Sequence, residues 1–97
     1  MATGQGTATI DFGAIPGSNE ASVAVTGQTS ILATSKAEAY MMADDTSADH
    51  TASDHRYFGS LANLICGTPT AGVGFTIYGR SIHKMQGRWA VRFVWAD

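Results

Sequence analysis

A lone cysteine, Cys66, stands in the 97 residues, and only two prolines. One cysteine excludes an internal disulfide and cannot by itself build a metal cluster. Set among Leu64, Ile65 and Gly67, it reads as a small buried hydrophobe rather than a reactive thiol. Charge is also scarce: Asp, Glu, Lys and Arg make up 14% of the residues and sum to a net charge of -2. That excludes a basic field for nucleic acid or anionic lipid, and an acidic tail. No apolar run reaches the length of a membrane span. The first residues, MATGQGTATID, lack a basic start followed by an apolar stretch, so no signal peptide is expected and the product is made in a cytoplasm. Large aliphatic side chains are few, since much of the 44% hydrophobic content is alanine. The core is therefore expected to be thin, rich in small residues and supplemented by subunit contacts. The length fits one domain.

What the sequence does have is concentrated in the stretch Gly87 to Asp97, GRWAVRFVWAD. Trp89, Val91, Phe93 and Trp95 fall on one parity, and Arg88, Ala90, Arg92, Val94 and Ala96 on the other, which is the period of a β-strand. A large aromatic buries roughly 150–250 Å², so the tryptophan parity predicts the core. The arginine parity predicts a face turned to water or to a neighbouring subunit. Trp89, Phe93 and Trp95 are thus candidate core or interface anchors, with Arg92 as the polar contact to a neighbour.

Residues 1–6 are small and polar and read as a flexible arm, leaving 7–97 as the folded domain. Thr7 to Phe12 alternates as a first strand, broken by the turn chemistry of Pro16-Gly17 and Ser18-Asn19. Ala21, Val23 and Val25 share one face of a second strand, with a third expected at Ile31-Leu32-Ala33 after Gly27-Gln28. Lys36 to Ala43 alternates strictly and reads as a strand, although its alanine, glutamate and methionine also suit a helix. Asp44 to His55 is polar, without apolar period, and reads as a long surface loop. Arg56 to Cys66 carries two patterns: Phe58, Leu61, Ala62 and Ile65 fit a helix, while Ala62, Leu64 and Cys66 fit a strand. The strand is preferred because its neighbours are strands. Gly72 to Arg80 alternates clearly, and Ser81 to Gln86 reads as a linker. The pattern as a whole predicts an all-β protein, a compact antiparallel β-sandwich of about six to seven strands.

Chemistry-bearing constellations are few. Asp49-His50 and Asp54-His55 form a near-duplicate in the polar loop, and carboxylate with imidazole suits a divalent metal. Nothing in the sequence gives these four residues a rigid support, so a solvated loop with turn-capping aspartates is expected, and no cofactor. There is no G-x-S-x-G elbow for a nucleophile, and Gly72-Val73-Gly74 lacks the following helix of a phosphate cradle. A non-enzymatic protein is expected. Glu38, Asp44, Asp45, Asp49 and Asp54 crowd the middle of the chain, while Arg80, Lys84, Arg88 and Arg92 crowd its last quarter. Pairing between strands, or between subunits, would bring the two sets together.

The segments TIDFGAIPGSNEASVAVTGQTSI, EAYMMADDTSADHTASDH, LICGTPTAGVGFTIYG and GRWAVRFVWAD together resemble small proteins of unassigned role in tailed-bacteriophage genomes. The resemblance implies a virion component, such as a capsid decoration protein, a head or neck fibre, or a tail module, located in the virion and contacting other virion proteins. The strand layout, mainly Phe12, Val23, Phe75 and Val94-Trp95-Ala96, is also similar to the H-type lectins. That pattern implies a trimeric sandwich and, as the alternative role, adhesion to host-surface glycans. A homo-oligomer, in the form of a trimer, is the expected assembly, with neither nucleic acid nor membrane as a partner.

Overall fold

The computed structural model describes residues 3–14, 16–41, 52–59 and 62–97. Among these residues six strands and one helix follow in the order β1 (Thr3–Asp11), β2 (Ser18–Val25), β3 (Lys36–Met41), α1 (Ala52–Gly59), β4 (Ala62–Cys66), β5 (Phe75–Met85) and β6 (Arg88–Ala96). They form two three-stranded antiparallel sheets that pack together as a β-sandwich: sheet A in the order β1-β6-β3 and sheet B in the order β2-β5-β4.

Strand β6 is the middle of sheet A and its alternation is complete. Trp89, Val91, Phe93 and Trp95 are buried, while Arg88 is exposed and Ala90, Arg92, Val94 and Ala96 are half-buried on the outer face. Ile10, Phe12, Val25, Ile31, Phe58, Phe75 and Ile77 complete the buried apolar cluster, with alanines of β1, β2, β3 and β4 packed around it. Phe75 of sheet B meets Phe93 of sheet A edge to face at 5.4 Å, the arrangement that aromatic quadrupoles favour. Large rings thus span the gap between sheets, and small residues flank them. In register, Trp95 lies between Gly4 and Ala37, and Phe93 between Gly6 and Ala39.

Several boundaries differ from the sequence expectation. The arm expected at residues 1–6 is strand from Thr3 onward, because Gly4 and Gly6 leave room for the rings of Trp95 and Phe93. A Cβ on Gly6 would lie 2.7 Å from Phe93 Cζ, and one on Gly4 would run into the Trp95 indole. Glycine here serves close packing between strands and not flexibility.

The expected strand at Ile31-Leu32-Ala33 is a pair of turns. Only Ile31 is buried, while Leu32 is 49% exposed. The Leu32 amide donates to Ser35 Oγ at 3.0 Å and Ser35 Oγ donates to Asp97 Oδ1 at 2.9 Å. A side chain therefore satisfies the backbone that a ladder would have used.

The linker expected at Ser81 to Gln86 mostly belongs to β5. Its inward positions after Ile77 are Gly79 and Ser81, both buried, so the hydrophobic alternation fades although the strand goes on. A register shift between Ser18 and Glu20 opposes this stretch, and Ile82, His83 and Lys84 all stand exposed there.

The largest correction lies in the middle of the chain. Residues 52–59, divided in the sequence reading between a loop and a strand, form helix α1, and the strand expected over 56–66 is reduced to β4. His55 and Phe58, three residues apart, are buried on one face of α1, whereas Arg56 and Tyr57 are exposed. Phe58 packs on Phe12 at 5.3 Å and on Trp89 at 4.5 Å. Of the strand expected over Lys36 to Ala43, Lys36–Met41 forms β3. Met42, Ala43 and most of the polar loop lie outside the described residues.

Candidate functional site

The four candidate metal residues do not form one site among the described residues. Asp49 and His50 lie outside them, and Asp54 and His55 are consecutive positions on α1. No group of three or more His, Cys, Asp or Glu among the described residues is placed to hold a metal ion.

His55 instead has a structural task. It is fully buried, stacks edge to face on Trp89 at 5.1 Å, and its Nε2 accepts the Ala90 amide at 3.0 Å. Among the described residues β3 pairs with β6 as far as Met41↔Val91, and Ala90 is the next residue along β6. A buried amide without a partner is costly, and the imidazole is the acceptor that this one has. Accepting at Nε2 requires that nitrogen to be unprotonated. The sequence reading placed His55 on a solvated loop. The missed signal is its i,i+3 spacing to Phe58.

Of the four anchors expected on the last strand, Trp89, Phe93 and Trp95 are in the core, and Trp95 Nε1 donates to Gln28 Oε1 at 2.9 Å. Arg92 sits on the outer face of sheet A, between its register partners Thr7 and Tyr40, and donates to Gln5 Oε1 at 2.8 Å. Cys66 is half-buried on the inward parity of β4. Burial, with the Glu38 carboxylate adding to it, pushes its thiol up to about 11.

A groove lies on the outer face of sheet B, where side chains stand in rows set by the register. Ser22, Tyr78 and Ile65 make one row, and Glu20, Arg80 and Asn63 the next. Together with Ala21 and Gly79 they line an open groove of about 770 Å³. On the inward side of Gly79 a Cβ would lie 2.8 Å from Ile10 Cδ1 of the facing sheet, so the backbone of β5 packs directly on the core beneath the groove. Tyr78 is 54% exposed and Ile65 65% exposed, and Ile82 farther along β5 is 76% exposed. Arg80 Nη2 and Glu20 Oε1 pair at 2.8 Å at the rim. Both are well exposed, so this pair contributes little to stability and is available to an incoming partner. Arg80 therefore finds its carboxylate on β2 rather than in the acidic middle of the chain. A second hollow of about 410 Å³ lies beside α1, between Tyr57, Asp54, Lys84 and Trp89.

No family model, no curated protein and no solved structure matches the chain.

Proposed function

We propose that this protein is a non-enzymatic structural module of a tailed-phage particle that associates with further copies of itself, as a trimer, and with other virion proteins. The observation that carries the association is the outer face of sheet B, where the register partners Tyr78 and Ile65 are exposed side by side above a sheet whose opposite face is already core. Adjacent exposed apolar side chains of this kind mark interaction sites more often than isolated ones do. The paired Glu20 and Arg80 at its rim give a copy both signs of charge to meet, which sets orientation. Resemblance of the four sequence segments to phage proteins supplies the setting.

Sedimentation at micromolar concentrations tests the association. A multimer is expected, and Ile65→Lys should weaken it while leaving the denaturation curve of the subunit unchanged. A wild-type chain that stays monomeric throughout would remove the reading. Cryo-electron microscopy of intact particles tests the setting.

A second reading, glycan adhesion, is favoured by one feature of the same groove. The exposed Tyr78 ring stands among Asn63, Arg80, Glu20 and Ser22, an apolar platform ringed by hydrogen-bonding groups that could orient a sugar. Titration with N-acetylgalactosamine, followed by amide shifts of Asn63 and Tyr78, separates the two readings.

A further inference from the structure

Strand β1 is held in an unusual way. Its inward residues are Gly4, Gly6, Ala8 and Ile10, so over its first half it gives the core no side chain. The fit is made from the other side: Trp95 and Phe93 extend from β6 into the space above Gly4 and Gly6. The result is a slot along the flank of β6 that admits a strand with glycine at two alternate positions and rejects one with a Cβ there. A chain that fits it is this chain's own Thr3–Asp11.

Among the described residues β1 is also an edge strand, paired along nine residues with β6 on one side. It leads into a connection with Gly13 at φ 91° and Gly17 at φ 80°. Gly13 has open space around its missing Cβ, so a change of direction there meets no steric obstacle. When β1 leaves it takes Ile10 out of the core, with Phe12 at the hinge beside it, and uncovers the Trp95 and Phe93 rings, so it leaves only where an identical slot receives it. Every contact it loses is regained on an identical slot, which makes exchange between identical chains a low-cost route to assembly.

We propose that copies of this protein are joined by exchange of β1, with residues 3–11 of one copy completing sheet A of the next by filling the Trp95–Phe93 slot. The occupant is a second copy because the slot requires the glycine spacing this strand carries. The proposal rests on the reading that copies associate, and adds to it a surface other than the sheet B groove.

A cysteine pair placed across β1 and β6 in the full chain decides it. Thr9 and Ala90 are register partners, and the Ala90 amide points to His55, away from β1. The pair is therefore of the non-hydrogen-bonded type, with α-carbons about 4.5 Å apart, which a disulfide can bridge. Thr9→Cys with Ala90→Cys, in a Cys66→Ala background, is purified as the multimer, oxidised and run on a non-reducing gel. Disulfide-linked chains of twice the mass or more are expected. Oxidising the same variant while dilute and monomeric should close the bond within one chain, and association on concentration should then fall to what the sheet B face alone supports. A multimer whose disulfides are all within single chains would overturn strand exchange and leave the association standing. Monomer at every concentration would overturn both. Thr7→Cys with Arg92→Cys, two residues along and of the same pairing type, gives the same readout should the first pair fail to fold.

Discussion

The indole of Trp95 occupies the space that a side chain on Gly4 would need. The two residues are register partners on adjacent strands, and the ring is held in place by the bond from Nε1 to Gln28 Oε1. Gly4→Val raises strand propensity, a gain of at most about 1 kcal/mol. It must also displace an indole packed in the core and strain its hydrogen bond. Overpacking of this kind costs about 1–3 kcal/mol, so net destabilisation is expected in urea denaturation. A more stable Gly4→Val variant would show that the indole does not sit over β1.

His55→Ala is expected to destabilise the fold by about 2–4 kcal/mol. It removes a buried ring from Trp89 and leaves the Ala90 amide without its acceptor, and the unsatisfied amide alone costs about 1–3 kcal/mol. From the sequence, with His55 placed on a solvated loop, the same change would be within roughly 1 kcal/mol, the range of ordinary surface substitutions. Equilibrium denaturation distinguishes the two values directly.

The two parities of β6 should respond differently to truncation. Phe93→Ala and Trp95→Ala remove buried aromatics, at about 3–5 kcal/mol each. Set against a total of about 5–15 kcal/mol for a domain of this kind, either should unfold a large share of the population near physiological temperature. Arg92→Ala removes an exposed contact to Gln5 and should change subunit stability by no more than about 0.5 kcal/mol. Denaturation and sedimentation, run on the same samples, separate folding from association.

Cys66 should behave as an unreactive thiol. Burial, aided by Glu38, raises it from 9.0 to about 11, so the neutral form is the one the fold prefers. The group therefore contributes stability in full below pH 9, and that contribution is lost as pH climbs from 9 through 11. Alkylation rates measured against pH should reach half-maximum near 11 in the native protein and near 9 in urea. Equal midpoints in the two states would contradict the packing of β4 described above.

How much of this was legible depended on where apolar residues alternate without interruption. In β6, Trp89, Val91, Phe93 and Trp95 announce both the strand and its buried face. The sandwich class, β2 and the strand over Lys36–Met41 follow from the same period. The signal fails where glycine replaces a side chain for packing reasons. Gly4 and Gly6 look like a flexible arm, and Gly79 with Ser81 hides the second half of β5, because what fills those positions projects from a facing strand or sheet. Helix α1 was missed for a related reason. Its buried face is made by His55 and Phe58, and a histidine between two polar residues does not register as apolar. The groove on sheet B could not be seen either, since Ile65, Tyr78 and Glu20 lie far apart in sequence and only the register sets them side by side.

The order of the strands also governs when each can find its place. Among the described residues β1 and β3 meet through β6, and the pairing of Thr3 with Ala96 spans nearly the whole sequence. Contacts so distant along the chain make folding slow. During synthesis at about 5–20 residues per second, β1 emerges several seconds before β6. For that interval a glycine-rich strand waits with both edges open, beside other nascent chains in the same condition. Sheet B can form earlier, since β2, β4 and β5 all precede β6. The expected early species is thus a half-built sandwich whose sheet B is in place and whose first strand is still uncommitted, so the rate of translation and the local concentration of nascent chains would bear on which copy each β1 joins.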